Sequence, residues 1–476
     1  MSQDIVVVGG GPGGYVAAIR AAQLGGKVTL IEKAQLGGTC LNRGCIPSKA
    51  IMASANLFEK IRKADTLGVV VNGGIRIDMD NVMERKNRIL QEQRKGIHHL
   101  LRRHGIRVME GAASWRKGNR MGVQGERGVE EVTWDKLVLA TGSRPSDLPG
   151  LVLDGERILS SDHALELKEI PSTVLIVGGG VIGCEFAFIL SSLGANVVVV
   201  EAMNRLLPLS ALDAECSKVL QREMKKRKIA FHLNRVVSHV QEKGDVLEVA
   251  MEPSPFLQGP TEREATPIHV TVEKILVCVG RVPVFPEEGE GVVGIRRDSK
   301  GWVHADARME TTEPGIYAVG DVLGPEKVML AHVASMEGRI AAENVMGGSR
   351  EMDYSVVPGA IFTSPEVAYV GATEEQAKEA GIRTRSDVVL FRVLGKAHAM
   401  GEIAGQVKIV SEVGTKRILG IHMIGPHVTE LLGEATLAVR SGCRLEELGW
   451  TIHPHPTLSE IMMEAALKGM DEALHG

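Results

Sequence analysis

The sequence predicts an α/β protein in which one βαβ unit occurs twice and an α+β domain follows at the C-terminus. Two apolar strands each lead into a glycine-rich turn, a helix and a second strand that ends in glutamate. Beyond Asp353, strands and helices alternate without another turn of that kind. Domains of about 100–200 residues are common, so a chain of 476 residues has room for about three of them.

The first βαβ unit starts with the apolar strand 5–8, which is followed by the sequence GGGPGG. Gly9 allows a tight turn, Gly11 lets the backbone approach a pyrophosphate at the helix N-terminus, and Gly14 permits close packing of helix against strand. Glu32 ends the second strand, where an acid can bind both hydroxyls of a ribose. Because all these features occur in order, we predict a Rossmann-like site for a dinucleotide.

The second βαβ unit has the turn GGGVIG, in which Gly178, Gly180 and Gly183 have the same three roles. Glu201 ends its second strand and favours a ribose with a free 2′-hydroxyl, hence NAD over NADP. Arg205 lies nearby and weakens that preference. Two nucleotide sites imply two cofactors, or one cofactor and one substrate. The sequence therefore predicts two Rossmann-like nucleotide-binding domains.

Cys40 and Cys45 are five residues apart and precede a predicted helix that starts near Ser48. Zinc sites mostly use cysteine pairs about two to four residues apart and need two more ligands, none of which is visible nearby. A structural disulfide is not expected, because no secretion signal precedes the first strand and cytosolic thiols are kept reduced. We therefore interpret the pair as a redox-active dithiol at a helix N-terminus, in a cytoplasmic protein without a metal site.

Composition and charge argue against several other functions. The net charge of −4 gives no support for nucleic-acid binding, and acids interleave with the basic residues of the predicted helix 79–104. The most apolar span, residues 174–200, contains Glu185 and a cluster of glycines, which a membrane-spanning helix rarely tolerates. We expect the other cysteines to be small buried hydrophobic residues: Cys184, Cys216, Cys278 and Cys443.

The whole chain resembles the class I pyridine nucleotide–disulfide oxidoreductases. Within that family, the sequences GGTCLNRGCIPSK at 37–49 and HPTLSE at 455–460 are most similar to those of dihydrolipoamide dehydrogenases. Glutathione reductases usually differ at Ser48 and favour NADP, mercuric reductases carry a C-terminal cysteine pair, and small thioredoxin reductases use a Cys-x-x-Cys motif. The chain departs from the family pattern at Arg43, between the thiols, and at Pro454, in the C-terminal histidine loop.

The resemblance implies a flavoprotein that oxidises protein-bound dihydrolipoyl groups and passes electrons through a Cys40–Cys45 disulfide and FAD to NAD+. Cys45 would face the flavin ring as a thiolate, and Cys40 would exchange with the substrate. His455 would be the base beside Cys40, with its ring oriented by Glu460.

The resemblance also implies further contacts with the cofactors. Lys49 would lie near the flavin and pair with Glu185, because a buried carboxylate without a partner is costly. Asp321 can contact a cofactor hydroxyl or cap a helix, and the sequence leaves both interpretations open. The remaining expected cofactor-binding residues follow buried strands or begin a predicted helix: Thr141, Gly142, Gly280 and Ala331.

By the same resemblance, residues 1–148 and 277–347 form a discontinuous FAD-binding domain, residues 149–276 an NAD-binding domain, and residues 348–476 a dimerisation domain. The protein would be a homodimer in which His455 of each chain completes the dithiol site of the other. Its partners would be the lipoyl domains of acyltransferases or the H-protein, with no nucleic acid and no membrane. The sequence leaves open whether it serves a 2-oxo acid dehydrogenase complex or the glycine cleavage complex.

Two alternatives to this function remain. One is an NAD(P)H-dependent reductase of another disulfide or of a metal. The other is a non-catalytic flavoprotein that serves as a scaffold or as an NAD sensor. The intact dithiol, His455 and Glu460 argue against the second alternative, because a protein without a catalytic role would be expected to lose at least one of them.

Overall fold

The computed structural model describes residues 3–259, 261–287 and 294–476, without the side chain of Arg263. Two parallel sheets and a C-terminal antiparallel sheet form a mixed α/β architecture, which confirms the predicted fold class. Among the described residues, no helix combines the length and the apolar character needed to cross a bilayer.

The first part of the chain builds a parallel sheet and a small antiparallel sheet. Its elements are β1 (Asp4–Val8), α1 (Pro12–Gln23), β2 (Lys27–Glu32), α2 (Gly38–Arg43), α3 (Cys45–Arg62), α4 (Met79–Arg103), β3 (Arg107–Glu110), β4 (Ala112–Arg116), β5 (Arg120–Gly125), β6 (Gly128–Thr133), β7 (Lys136–Leu139) and β8 (Ser143–Pro145).

The middle part builds the second parallel sheet and then returns to the first one. Its elements are β9 (Ile158–Ser160), α5 (Ser161–Ala164), β10 (Thr173–Val177), α6 (Val181–Ser192), β11 (Asn196–Glu201), α7 (Ala214–Lys226), β12 (Ala230–Leu233), β13 (Arg235–Lys243), β14 (Val246–Pro253), α8 (Glu262–Ala265), β15 (Ile268–Val272), β16 (Lys274–Val277), β17 (Arg281–Pro283), β18 (Ile316–Ala318) and α9 (Ala331–Val345).

The last part builds the antiparallel sheet and the helices that cover it. Its elements are β19 (Gly359–Ile361), β20 (Glu366–Gly371), α10 (Glu374–Glu379), β21 (Thr384–Leu390), α11 (Gly395–Met400), β22 (Gln406–Glu412), β23 (Ile418–Gly425), α12 (Val428–Ser441), α13 (Leu445–Gly449) and α14 (Glu460–Lys468).

The first parallel sheet has the strand order β18-β7-β1-β2-β3. Strand β1 lies at its centre, and its side chains Val6 and Val7 are almost fully buried. The chain leaves this sheet after β7 and returns with β18, which pairs in parallel with β7. The antiparallel pair β8–β17 joins the outgoing and the returning segments. One sheet is therefore completed by two segments that are far apart in the sequence.

The second parallel sheet, β12-β11-β10-β16-β9, repeats this arrangement with β10 at the centre. The C-terminal sheet has the order β19-β20-β23-β22-β21 and is antiparallel. Both glycine turns follow the central strand of their sheet, at its carboxyl end. Ligands of open α/β sheets bind at that edge, where the chain turns to the next helix.

Helices α1 and α9 approach each other closely because each carries a glycine at the contact. A Cβ on Gly338 would lie 2.2 Å from the carbonyl oxygen of Gly13. A Cβ on Gly13 would lie 3.2 Å from the carbonyl oxygen of Ala334. The helix that follows the first glycine turn is thus held directly against the returning helix α9.

Glu59 ties the helix α3 to the other two parts of the fold. Its carboxylate accepts hydrogen bonds from Arg227 at the end of α7 (2.5 Å) and from Ser192 at the end of α6 (2.8 Å). Burial raises the pKa of Glu59, but the hydrogen bonds from Arg227 and Lys63 outweigh it and lower the pKa to about 2. Arg227 also donates to the hydroxyl of Ser364 at 2.7 Å. The helix that begins at Cys45 is therefore fixed at its far end.

Replacing Gly338 by alanine should push α1 and α9 apart. A Cβ that lies 2.2 Å from a backbone oxygen requires a backbone shift, so we expect the free energy of unfolding to fall by about 1–3 kcal/mol. Thermal unfolding of the variant and the wild type measures the change. Gly96→Ala in α4 is the matched control, because nothing lies within 4 Å of a Cβ there and alanine should stabilise the helix by up to about 1 kcal/mol. An unchanged melting temperature for Gly338→Ala would contradict the contact.

Candidate active site

The dithiol lies on two consecutive helices. Gly37 has a φ of 97°, after which α2 begins and carries Cys40. Helix α3 begins at Cys45 itself, so the predicted start near Ser48 was wrong. Proline is tolerated in the first turn of a helix, because the N–H that it lacks has no partner there, and α3 can therefore start before Pro47.

The two thiols contact each other in the reduced state. Both cysteines are free, and a hydrogen bond between their thiols is the largest influence on the pKa of Cys45. Gly44 joins the two helices and allows this approach. A Cβ on Gly44 would lie 3.5 Å from the Cα of Cys40 and 3.1 Å from the carbonyl oxygen of Thr39.

The hydrogen bond between the thiols separates their pKa values. It lowers the pKa of Cys45 to about 7 against the effect of burial, and the positive charge of Lys49 lowers that pKa further. The same hydrogen bond raises the pKa of Cys40, together with burial and the charge on Cys45. The pair therefore shares one proton unequally: near neutral pH, Cys40 keeps it and Cys45 becomes the thiolate.

Lys49, on the first turns of α3, forms an ion pair with Glu185 of α6. Its Nζ lies 2.7 Å from Oε2 and 2.9 Å from Oε1 of Glu185. The carboxylate also accepts the backbone N–H of Phe362 at 3.0 Å, and Nζ lies 4.4 Å from the centroid of the Phe362 ring. Residues from the first, second and third parts of the chain therefore meet next to Cys45.

The first glycine turn lies against the start of the dithiol helices. Gly9 has a φ of 103°, and a Cβ on Gly14 would lie 1.8 Å from the carbonyl oxygen of Gly9. A Cβ on Gly38 would lie 2.5 Å from the Cα of Gly11. These positions leave space only for glycine. A dinucleotide that binds the turn would therefore extend beside the segment that carries the thiols.

The two acids at the strand ends are held in the same way. Glu32 accepts the N–H of Gly10 at 2.7 Å, and Glu201 accepts the N–H of Gly179 at 2.6 Å. The second oxygen of each carboxylate accepts the N–H of the residue two positions later, at 2.8 Å. Each carboxylate is thus fixed at the base of its glycine turn, where a ribose would lie next to it.

The second glycine turn repeats the geometry of the first. Gly178 has a φ of 109°, and a Cβ on Gly183 would lie 1.9 Å from its carbonyl oxygen. Gly180 occupies the N-cap position of α6, where nothing lies within 4 Å of a Cβ.

The guanidinium of Arg205 donates to the carbonyl oxygens of Leu209 (2.7 Å) and Leu212 (3.1 Å). Arg205 is therefore engaged by the protein itself.

Ser143 connects Arg281 with Asp321. Its hydroxyl donates to Oδ2 of Asp321 at 2.6 Å and accepts from Nε of Arg281 at 2.7 Å. The helical turn Gly320–Leu323 has Val319 at its N-cap position, so the interpretation of Asp321 as a helix cap is wrong. The alternative, that Asp321 contacts a cofactor hydroxyl, stays a prediction.

The other residues predicted to bind cofactor surround this junction. Thr141 donates a hydrogen bond to the carbonyl oxygen of Val284. Gly142 and Gly280 have φ values of 72° and 78° on either side of the β8–β17 pair. Ala331 is the first residue of α9, where N–H groups without helical partners point towards a potential ligand.

His455 and Glu460 form a hydrogen-bonded pair in the C-terminal loop. Nδ1 of His455 lies 2.8 Å from Oε1 of Glu460, and the N–H of Thr457 donates to Oε2 at 2.8 Å. Burial raises the pKa of Glu460, but these two hydrogen bonds outweigh it and lower the pKa. The side chain of His455 is 76% exposed. Among the described residues, no hydrogen bond or ion pair connects this pair to the dithiol of the same chain.

Arg43, which departs from the family pattern, is exposed and acts on Asp162 of α5. Burial raises the pKa of Asp162, and the charges of Arg43 and Arg281 oppose that rise. The pKa of Cys45 depends chiefly on Cys40, burial and Lys49. The positive charge of Arg43 thus acts on Asp162 of α5, next to the second sheet.

Sequence analysis missed several residues of the site. Phe362 and Arg281 give no local signal, because their partners lie far away in the chain. Ser143 directly follows Gly142, but its partners Asp321 and Arg281 are also distant in the sequence. His453, which pairs with Glu434, does have a signal, because the sequence repeats the dipeptide His-Pro within the loop.

The unequal thiols predict a single thiolate that titrates near neutral pH in the reduced protein. The ultraviolet absorbance of the thiolate should rise with a midpoint of about 7 and vanish in Cys45→Ala. In Cys40→Ala the midpoint should rise, because the S–H donor that stabilises the Cys45 thiolate is lost. Cys443→Ala is the control and should leave the titration unchanged. An unaltered midpoint in Cys40→Ala would contradict the hydrogen bond.

Comparison with known proteins covers nearly the whole chain. Residues 3–338 match the family model described as pyridine nucleotide-disulphide oxidoreductase, and residues 357–466 match its dimerisation domain. A protein of Chlamydia muridarum (strain MoPn / Nigg), named dihydrolipoyl dehydrogenase, is 41% identical over 474 residues, 99% of this chain and 98% of that protein. A protein of Bacillus subtilis (strain 168) with the same name is 40% identical over 488 residues, 99% of each chain.

Solved structures show the same architecture. LpdA from Mycobacterium tuberculosis superposes with a TM-score of 0.87 at 29% identity, over 98% of this chain and 99% of that one. The HOCl-induced flavoprotein disulfide reductase RclA from Escherichia coli superposes with a TM-score of 0.83 at 26% identity, over 97% and 99%. These matches confirm the resemblance seen in the sequence: the chain belongs to the pyridine nucleotide–disulphide oxidoreductase family.

Proposed function

We propose that this oxidoreductase oxidises dihydrolipoyl groups carried by a partner protein and reduces NAD+. The observation that carries the proposal is the hydrogen-bonded pair Cys40–Cys45, in which one thiol has a pKa of about 7 and the other retains its proton. Relatives that are 41% and 40% identical over their full length bear the name dihydrolipoyl dehydrogenase, which supports the choice of substrate.

The proposed chemistry consists of two thiol–disulfide exchanges. In the oxidised protein, a substrate thiolate attacks the sulfur of Cys40, and Cys45 leaves as a thiolate. The second substrate thiolate attacks the resulting mixed disulfide, releases Cys40 and closes the substrate into a cyclic disulfide. Two electrons move from the substrate to the cysteine pair. Of the two protons that the substrate thiols lose, one ends on the thiol of Cys40 and the other passes to a base. The low pKa of Cys45 favours its departure in the first exchange.

In this proposal, His455 is the base that receives the substrate proton. Its Nδ1 is hydrogen-bonded to Glu460 at 2.8 Å, which favours the tautomer with a free Nε2. The carboxylate also stabilises the imidazolium that forms when Nε2 accepts a proton. The proton then passes to solvent.

The residues around the first glycine turn fit FAD. The turn has no room for a Cβ at Gly14, and it holds Glu32 where a ribose would bind. Bound FAD supplies the two-electron relay between the thiols and NAD+. Lys49, held by Glu185, would place a positive charge on the flavin side of Cys45, and Asp321 would bind a cofactor hydroxyl.

The second glycine turn fits NAD better than NADP. The carboxylate of Glu201 would accept hydrogen bonds from the ribose hydroxyls and repel a 2′-phosphate. Arg205 is the nearby cation that could favour NADP, but its guanidinium is bound to two backbone carbonyl oxygens and to the hydroxyl of Ser217 (3.3 Å). Specificity for NAD therefore follows from the contacts of both residues.

The proposal includes a homodimer in which the base comes from the second chain. Residues 357–466 match the dimerisation domain of the family. Beside the histidine loop, Trp450 is 74% exposed and Ile452 is 95% exposed. A second copy that covers these apolar side chains would bring its own dithiol towards His455. The lipoyl domain of an acyltransferase or the H-protein would deliver the substrate, in the cytoplasm.

Steady-state kinetics test the proposed substrate and nucleotide. The flavin-loaded protein should reduce NAD+ with dihydrolipoamide, and kcat/KM for NADP+ should be roughly 100-fold lower because Glu201 repels the 2′-phosphate. Faster NAD(P)H-dependent turnover of glutathione disulfide or of a metal ion would favour the reductase alternative. A protein that turns over none of these substrates would contradict the proposal and favour a scaffold or sensor.

Mixed dimers test the shared site. Cys45→Ser and His455→Gln should each be inactive alone, because every site of the homodimer lacks an essential group. After subunit exchange, one site of each hybrid contains both changes and the other contains neither, so roughly half of the wild-type activity should return. A hybrid of Cys45→Ser with Cys40→Ser is the matched control and should stay inactive. Verified hybrids of the first kind that remain inactive would contradict the cross-subunit arrangement.

A further inference from the structure

His453 lies two residues before His455 but in a different environment. Its side chain is 4% exposed, against 76% for His455. Its Nδ1 is 2.8 Å from the carbonyl oxygen of Thr451, and its Nε2 is 2.9 Å from Oε1 of Glu434 on α12. A carbonyl oxygen and an ionised carboxylate accept hydrogen bonds but cannot donate them. Both ring nitrogens must therefore carry protons, which makes His453 an imidazolium.

Charged groups of opposite sign alternate around this loop. The hydrogen bond to Glu434 raises the pKa of His453 against burial, and the charge of Glu460 on α14 raises it further. Burial raises the pKa of Glu460, and the charge of His453 is among the effects that lower it. On α13, the carboxylate of Glu447 is tied to the backbone N–H at the start of its own helix at 2.7 Å. Among the described residues, the carboxylates that act on His453 are therefore Glu434, through a hydrogen bond, and Glu460, through its charge.

The loop connects the buried histidine mechanically to the exposed one. The carbonyl oxygen of Pro454 accepts a hydrogen bond from the hydroxyl of Thr457 at 2.7 Å. The N–H of Thr457 in turn donates to Glu460, which orients His455. An anchor at His453 thus fixes the start of a loop whose other end carries the partner of His455.

We propose that His453 is a permanently charged positioning residue that anchors this loop through Glu434 and thereby holds His455 and Glu460 in place. The inference rests on the proposed function, in which His455 accepts the substrate proton. His453 itself gains and loses no proton during turnover. Its fixed positive charge acts on Glu460, the hydrogen-bond partner of His455, so loss of that charge should change the pH dependence of turnover.

The pH profile of kcat/KM with dihydrolipoamide tests the charge. In His453→Gln, the positive charge is lost, so the acidic limb of the profile should move up by roughly half a pH unit. His453→Lys keeps the charge and should leave the limb in place. Glu434→Gln removes the carboxylate that anchors His453, so it tests the position of the loop through kcat/KM and should not move the limb upward. Both neutralising variants should also lose about tenfold or more in kcat/KM, because the base is less well oriented.

The chain offers a matched control and an independent check of folding. His475 also pairs with a carboxylate, Glu464, at 2.8 Å, so His475→Gln should leave the profile unchanged. Reduction of ferricyanide by NADH needs no thiol base, and its rate should stay at the wild-type value in every variant. Nitrogen-15 spectra of histidine-labelled protein at neutral pH should contain the signal of a ring with both nitrogens protonated that disappears in His453→Gln.

Each outcome decides the inference. A loss of activity in His453→Gln without a shift of the acidic limb, or an equal shift in His453→Lys, would overturn it and leave only a packing role. A neutral His453 ring at pH 7 would overturn it whatever the substrate. If the wild type fails to oxidise dihydrolipoamide, the proposed function is wrong. The ring protonation of His453 then still decides whether the permanent charge exists.

Discussion

The site depends on the interaction between the thiols of Cys40 and Cys45. Without it, two neighbouring cysteines of equal pKa would compete for the same proton, and neither would be the defined leaving group. With it, one sulfur lies near pKa 7 and the other is held protonated. The glycine at position 44 is a condition for this arrangement, because a side chain there would press on the backbone of α2. Backbone geometry thus determines the acid–base chemistry.

The fold also places charged side chains around this pair of thiols. Helix α3 begins at Cys45, carries Lys49 towards Glu185 and is fixed at its far end by the contacts of Glu59 with Arg227. The two glycine turns each lie at the carboxyl end of a central strand. The chemistry of the dithiol and the binding of nucleotides are therefore coupled through one helix and its neighbours.

The fold and much of the site could be predicted because their signals are local. A glycine turn between an apolar strand and a helix constrains the backbone by itself, and two cysteines five apart limit the chemistry. The start of α3 could not be predicted, since it depends on the unusual backbone of Gly44 as well as on Pro47. Phe362 and Arg281 were missed because their roles exist only after distant segments meet. The role of Asp321 had two local interpretations, and only the position of Val319 excluded one of them.

The close contact between Gly13 and Gly338 has a consequence for the order of synthesis. The ribosome produces the chain from its N-terminus, so α1 and the first glycine turn leave it long before α9 does. The sheet that supports this turn lacks its edge strand β18 until residue 318 has been made, and α1 lacks its packing partner until α9 follows. The second sheet is finished earlier, since all of its strands lie between residues 158 and 277. In the nascent protein, the second parallel sheet can therefore be completed before the first one can.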